Sequence, residues 1–317
     1  MKNEKQSILI LSKNADSYEN LINRENFSVL ERVIVANDAE ETAEPWDMCN
    51  IILGDPDLIL PRLPHMKRLE WVQSTWAGIT PLLTENSRKD YLLTGVKEIF
   101  GSMMSEYVLC YILMHERKTL ARYQAQQSGI WDDSSPGRLQ NKLIGIMGVG
   151  SIGGHVAATA KYFGMRTRGY TRSCKDYTSI DQYFHGSDLT RFAAGLDYLV
   201  SILPDISSMD NIIDRSVLGS MKNSALLING GRGNAIDEEA LAEALENGTL
   251  AGAILDVFRE EPLPASHPFW KTPNLIITSH TAALSFPEDI FSLFKRNFQN
   301  FVKGEMLNYI IDFEHGY

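Results

Sequence analysis

Residues Leu139 to Phe163, LQNKLIGIMGVGSIGGHVAATAKYF, constrain this chain more than any other stretch. An apolar run, Leu143–Met147, leads directly into Gly148-Val149-Gly150-Ser151-Ile152-Gly153, and a helix-like segment, Val156–Phe163, follows. A strand that ends in G-x-G-x-x-G and gives way to a helix is the pattern of a dinucleotide-binding βα turn. Gly148 allows the sharp turn, Gly150 lets the backbone approach a pyrophosphate, and Gly153 lets the helix close on the strand. The unpaired N–H groups at the helix start, Ser151 and Ile152 among them, then face the phosphate with the helix dipole behind them. Alone, such a motif is an ordinary turn. With a strand before it, a helix after it and further strand–helix units downstream, it predicts a nucleotide site.

Those units run along the whole chain. Before the motif, short β-like runs stand at Ile8–Leu11, Val33–Val35, Ile51–Leu53, Trp71–Gln73 and Leu92–Thr94. After it come Thr167–Tyr170, Asp197–Ile202, Ala225–Ile228, Gly252–Leu255 and Leu275–Thr278. The runs are apolar without strict alternation, as strands covered on both faces are, and helical segments separate many of them. The fold class is therefore α/β with parallel sheets. Ser102–Gln127 has no glycine or proline and carries apolar residues at helical spacing, so one long helix linking two domains is expected there. Tyr107, Tyr111 and Met114 on it read as core contacts. Asp237–Asn247 is a second clear helix, with Asp237 as cap and Gly248 as stop. Pro287–Val302 lies beyond the last strand and is expected to return to the first domain. A length of 317 residues suits two domains. The boundaries expected are 1–100 plus 285–317 for one, and 101–284, inserted in it, for the nucleotide-binding one.

Composition narrows the partners. A net charge of −10 argues against nucleic acid or an acidic membrane surface as the main partner. The three cysteines, Cys49, Cys110 and Cys174, have no paired spacing, which predicts reduced thiols in a cytoplasmic protein. The longest apolar stretch, Val108–Met114, is too short to span a bilayer, and Ile8–Leu11 is too short for a signal peptide. His65, His115, His155, His185, His267 and His315 show no ligand-like spacing, so no metal is expected.

In a dinucleotide-binding unit the end of the second strand selects the cofactor, an acid for the ribose hydroxyl of NAD or an arginine for the 2′-phosphate of NADP. Here Tyr170 runs into Thr171-Arg172-Ser173, and the nearest acid, Asp176, comes several residues late. A guanidinium between two hydroxyls matches a phosphate monoester, so NADP(H) is the preferred cofactor, with NAD(H) as the other possibility.

Three polar loops follow strand ends, where an open α/β sheet binds its ligands. They are Asn229-Gly230-Gly231-Arg232-Gly233, Asp256-Val257-Phe258-Arg259-Glu260-Glu261-Pro262-Leu263-Pro264 and Ser279-His280-Thr281-Ala282-Ala283. One arginine, one carboxylate and one histidine can form a carbonyl-reducing site. The arginine grips a 2-oxo acid in a bidentate contact, and the histidine gives the new hydroxyl its proton, its charged form favoured by a paired carboxylate. Which carboxylate pairs is open on these grounds, because Glu260 and Glu261 are neighbours.

With these loops in view the chain resembles the D-isomer-specific 2-hydroxyacid dehydrogenase family, which includes glyoxylate/hydroxypyruvate reductases. The resemblance covers nearly the whole length. It rests on the Leu139–Gly153 fingerprint, Ser201-Ile202-Leu203-Pro204, the Asn229–Asp237 loop, the Asp256–Pro264 stretch and Ser279–Ala283. It implies two Rossmann-like doubly wound domains, the nucleotide-binding one inserted in a flavodoxin-like substrate domain, with the substrate in a cleft between them and a homodimer through the nucleotide domains. By resemblance Arg232 orients the substrate, Glu261 pairs with His280, and His280 is the acid/base. Asp256 is similar to the aspartate that holds the nicotinamide carboxamide, Leu203 and Pro204 to the segment over the adenosine side, and Met104 to a residue lining the nicotinamide site. Gly230 and Gly231 fall in the cofactor-facing loop. Gln73-Ser74-Thr75-Trp76-Ala77-Gly78 resembles the loop whose Ala77 and Gly78 amides grip the substrate carboxylate, with Trp76 as pocket wall. The chain departs from the family pattern at Thr80, where aspartate is common, at Asn141, where a glycine commonly precedes the lysine, and at Ser279 in place of proline. The expected activity is reduction of a small 2-oxo acid of the glyoxylate or hydroxypyruvate type. The alternatives are a D-lactate-type or phosphoglycerate-type dehydrogenase using NADH, and a non-catalytic NAD(H)-sensing corepressor-like binding protein.

Overall fold

Short apolar runs form the backbone of two parallel sheets in the computed structural model, which describes residues 5–38, 45–84, 87–172 and 177–314. The strands are β1 Gln6–Leu11, β2 Leu30–Ala36, β3 Ile51–Gly54, β4 Trp71–Ser74, β5 Leu92–Thr94, β6 Leu143–Met147, β7 Arg166–Tyr170, β8 Gln182–Phe184, β9 Tyr198–Ser201, β10 Leu226–Asn229, β11 Gly252–Leu255 and β12 Leu275–Ile277. The helices are α1 Ala15–Asn23, α2 Pro56–Ile59, α3 Gly101–Glu116, α4 Thr119–Gln127, α5 Ser151–Tyr162, α6 Leu189–Ala193, α7 Arg215–Ser220, α8 Glu238–Glu246 and α9 Pro287–Lys303. The chain divides into two compact units, Met1–Ile99 with Ser285–Tyr317, and Phe100–Leu284.

The first unit holds the sheet β2-β1-β3-β4-β5, every pairing parallel. This is the flavodoxin-like order, and β3 and β4 are buried along their whole length. Helix α9 completes the unit. It buries Ile290, Phe291, Leu293, Phe294, Asn297, Phe298 and Phe301 along one stripe, with Glu288 and Asp289 at its positive end and Gly304 (φ +72°) as its stop. Phe294 stacks on Trp71 at 5.3 Å between ring centroids, and Asn297 Nδ2 donates to Gln73 Oε1 at 3.0 Å.

The second unit carries the sheet β12-β11-β10-β9-β6-β7-β8, again parallel throughout. Strand order reverses at β6, with β7 and β8 on one side and β9 to β12 on the other, as in a Rossmann sheet with one further strand. Successive residues alternate between two cores. Met147, Leu199, Leu227 and Leu255 pack on the face that includes Leu218, Leu241 and Leu245, while Ile146, Val200, Ile228 and Ile254 pack on the face with Val108, Ile112 and Val156. At the opposite sheet edge from the glycine turn lies a charged cluster. Asp197 accepts from Lys222 Nζ at 2.8 Å and from Leu143 N at 2.8 Å, Lys142 Nζ lies 3.2 Å from Glu116 Oε1, and the buried Tyr198 hydroxyl donates to Glu116.

The structure departs from the expectations at three places. The helix expected over Ser102–Gln127 is two helices, broken where Lys118 adopts the left-handed φ of +53°. Its second part, α4, buries none of its residues. The helix expected from Val156 begins at Ser151, inside the glycine motif. A further edge strand, β8, adds to the sheet beyond β7.

Candidate active site

The loops that follow the strands of the second sheet meet at its carboxyl edge, and the glycines are what lets them meet. Gly148 turns with φ +93°, and a Cβ there would lie 2.4 Å from Ile202 O. The turn after β6 thus touches the turn after β9, the two strands that flank the reversal of strand order where such sheets bind ligands. A Cβ on Gly153 would lie 2.3 Å from Gly148 O, so α5 packs directly on the turn. A Cβ on Gly150 would meet nothing within 4 Å. That open position, beside the first-turn N–H groups of a 12-residue helix with no acidic side chain in its first turn, fits an anionic diphosphate. Ser151 is exposed and Ile152 half-buried.

Thr171 and Arg172 follow β7, with Thr171 N donating to Phe184 O at 3.2 Å and Thr171 O facing His185 Nδ1 at 2.6 Å. Arg172 is exposed at this edge. Ser173 lies outside the described residues. After β9, the Leu203 side chain is 6 % exposed and belongs to the core, so that turn presents its backbone and the exposed Pro204 instead.

The arginine loop is wedged between its neighbours. A Cβ on Gly231 would lie 2.6 Å from Leu203 N, and one on Gly233 only 2.0 Å from Phe258 C. Backbone therefore presses on backbone on both sides of Arg232, which is itself half-buried. Buried Asn229 fixes the loop from within, Nδ2 donating to Arg232 O at 3.0 Å and Oδ1 accepting from Gly231 N at 3.2 Å. Arg259, which no sequence pattern singles out, ties the next loop on by donating to Asn234 O at 2.9 Å and Ile236 O at 3.0 Å. Met104, 4 % exposed on α3, reaches the same loop, its Sδ 2.9 Å from where a Gly230 Cβ would stand.

Glu261 and His280 stand together. Glu261 Oε2 lies 2.7 Å from His280 Nδ1, and Oε1 accepts from Phe258 N at 2.8 Å. A carboxylate can only accept, so the proton of this contact belongs to Nδ1, leaving Nε2 to exchange the second one. His280 is about half exposed (53 % of its side chain) and holds φ +56°, a left-handed conformation unusual for a side chain of its size. Asp256, 1 % exposed, maintains that turn. Its main-chain oxygen accepts from His280 N at 2.8 Å, Oδ1 accepts from Thr281 N at 2.9 Å and from Thr278 Oγ1 at 2.5 Å, and Oδ2 accepts from Ala282 N at 2.9 Å. Among the acids of this stretch it is Glu261, and not Glu260 or Asp256, that faces the imidazole.

Trp76, Ala77 and Gly78 follow β4 at the carboxyl edge of the first sheet. Ser74 Oγ accepts from Trp76 N at 3.0 Å and donates to Trp76 O at 2.8 Å, and buried Asp55 accepts from the Thr75 hydroxyl and from Ser12 Oγ at 2.9 Å. Trp76 is half-buried and Ala77 exposed. Among the described residues no group of three His, Cys, Asp or Glu side chains could hold a metal ion, and no helix is long and apolar enough to cross a membrane.

The model of the D-isomer specific 2-hydroxyacid dehydrogenase NAD binding domain matches residues 109–282. Glyoxylate/hydroxypyruvate reductase A of Photorhabdus laumondii subsp. laumondii is 32% identical over 250 residues, 76% of this chain and 79% of that protein. A D-isomer specific 2-hydroxyacid dehydrogenase family protein from Aeromonas salmonicida subsp. salmonicida superposes with a TM-score of 0.92 at 37% identity, covering 98% of this chain and 100% of that one. The NADPH-dependent glyoxylate/hydroxypyruvate reductase of Sinorhizobium meliloti, solved with NADP and sulfate, gives a TM-score of 0.84 at 26% identity over 99% of this chain and 100% of its own. On sequence and fold alike, this chain belongs to the D-isomer specific 2-hydroxyacid dehydrogenase family.

Proposed function

We propose that the chain reduces a small 2-oxo acid, of the glyoxylate or hydroxypyruvate type, to its 2-hydroxy acid with NADPH. The observation that carries this reading is the Glu261–His280 contact of 2.7 Å at the same sheet edge as the glycine turn and Arg232. The Gly148–Gly153 turn would hold the cofactor, which would supply the hydride for the keto carbon. Arg232 binds the carboxylate and keto oxygen through its fixed fork, drawing charge toward the oxygen. His280 Nε2 gives its proton to that oxygen, and Glu261, opposite Nδ1, stabilises the imidazolium that precedes the transfer. The product carries one hydride and one proton more than the substrate, and His280 is left neutral.

Selection of NADPH falls to Arg172 with Thr171, whose position after β7 suits a ribose 2′-phosphate. The names of the similar reductases support the same reading. Initial rates with glyoxylate, hydroxypyruvate, pyruvate and 2-oxobutyrate, each with NADPH and NADH, test it. Fast oxidation of NADPH by glyoxylate or hydroxypyruvate is expected, and Arg172→Asp should weaken NADPH far more than NADH. Negligible turnover with every acid despite NADPH binding would overturn the reductase reading in favour of a cofactor-sensing one.

A further inference from the structure

The left-handed turn at His280 has an anchor outside its own loop. Tyr107, half-buried on α3, places its hydroxyl 2.9 Å from Thr278 Oγ1, at the end of β12. Thr278 Oγ1 donates to Asp256 Oδ1 at 2.5 Å, and Asp256 in turn accepts from the N–H groups of Thr281 and Ala282, the two residues after His280. The direction of this chain follows from proton count. A threonine hydroxyl has one proton, and the buried carboxylate takes it. The Tyr107 hydroxyl must therefore be the donor to Thr278, its remaining role being that of a neutral phenol. Burial, together with the nearby Asp256 charge and against the pull of the Thr278 contact, raises the phenol above its ordinary range, which keeps that proton in place.

We propose that Tyr107 and Thr278 are positioning residues for His280: a one-way hydrogen-bond chain from Tyr107 through Thr278 to Asp256 fixes the turn that aims the imidazole. The inference rests on the assignment of His280 as the acid. Without the chain, Asp256 loses its only side-chain donor among these contacts, and its hold on the Thr281 and Ala282 amides slackens. The strained φ of His280 then has less to oppose it. The Glu261 oxygens face His280 Nδ1 and Phe258 N, and no hydrogen bond joins them to Tyr107, Thr278 or the Asp256 side chain, so the effect on His280 is one of placement and not of charge pairing.

Tyr107→Phe and Thr278→Val remove the two donors, and Thr278→Ser keeps one. Each purified variant is measured for kcat with glyoxylate or hydroxypyruvate, for the KM of NADPH, and for the His280 Cε1–H signal in ¹³C-histidine-labelled protein, the signal being assigned by its loss in His280→Ala. Thr278→Val and Tyr107→Phe are expected to lower kcat by about 10- to 100-fold, the scale of a small misplacement of a reacting group, while the NADPH KM holds within about twofold. The His280 signal moves in both, and Thr278→Ser restores most of the rate and the signal position. An unmoved signal and wild-type kcat in Thr278→Val, or a Thr278→Ser variant as impaired as Thr278→Val, would overturn the proposal. A wild-type protein inactive toward 2-oxo acids would count against the reductase reading alone, because the signal reports His280 placement without turnover.

Discussion

At the scale of single residues, the candidate chemistry reduces to one imidazole held from two directions, by Glu261 at Nδ1 and by Asp256 at the backbone. His280→Ala removes the proposed proton donor and is expected to lower kcat by about 10²- to 10⁴-fold, with NADPH affinity by fluorescence titration unchanged. Glu261→Gln keeps the shape and one acceptor oxygen but not the charge, so its kcat should fall between those of wild type and His280→Ala. Near-normal turnover in either variant would remove these roles. Arg232 and His280 were legible in the sequence because each follows a strand end among small residues, whereas the choice of Glu261 over its neighbour Glu260 came from the family resemblance alone. The contacts that set their geometry were not legible. Tyr107 reads as core from its helical spacing, and its partner Thr278 lies 171 residues away, a pairing no local pattern encodes. Asn141, which stands where glycine is common, explains itself only in three dimensions. Its φ is +66°, and asparagine is among the few side chains that accept that conformation.

At the scale of elements, the glycine turn makes a paired prediction. Gly150→Ala adds a methyl into open space and should leave the melting temperature of the cofactor-free protein unchanged, yet raise the NADPH Kd about tenfold or more by blocking the approach of the diphosphate. Gly153→Ala adds the same methyl against Gly148 O and should cost about 1–3 kcal/mol of stability, visible by denaturant unfolding without any ligand. Equal effects of both variants on both measurements would show that the turn does not divide its glycines between packing and binding. Most strands were legible because runs such as Ile51–Leu53 and Gly252–Leu255 are continuous, apolar and short. The strand Gln182–Phe184 was not, since its burial pattern runs from exposed to buried over three residues and an edge strand has only one neighbour to mark it. The break at Lys118 was not legible either, because no glycine or proline marks it and only the left-handed φ of Lys118 shows it. The early start of α5 reflects packing that outweighs the weak helix propensity of Gly153 and Gly154.

For the molecule as a whole, stability and its dependence on pH reside partly in the charged cluster far from the chemistry. Burial pushes the Asp197 carboxyl up, but the Lys222 hydrogen bond, the Leu143 amide and Lys142 outweigh it and hold it below the usual carboxylate range. A carboxyl depressed on folding stabilises the native state above its unfolded pKa, near 4, and that contribution disappears as pH falls through the folded value. Lys222→Met should therefore cost about 1–2 kcal/mol near neutral pH and flatten the loss of stability on acidification, as urea unfolding across the acid range would register. An unaltered acid limb in that variant would place the pH dependence elsewhere. The return of α9 to the first sheet has a further consequence, for synthesis. Gln73 and Asn297 are bonded across 224 residues of sequence, so the first unit waits for its last helix. At about 5–20 residues per second that wait is roughly 10–45 seconds, and during it the entire second unit leaves the ribosome. The part of the chain begun first is thus the part finished last, and Trp71 spends that interval without the aromatic ring of Phe294 that covers it in the native protein.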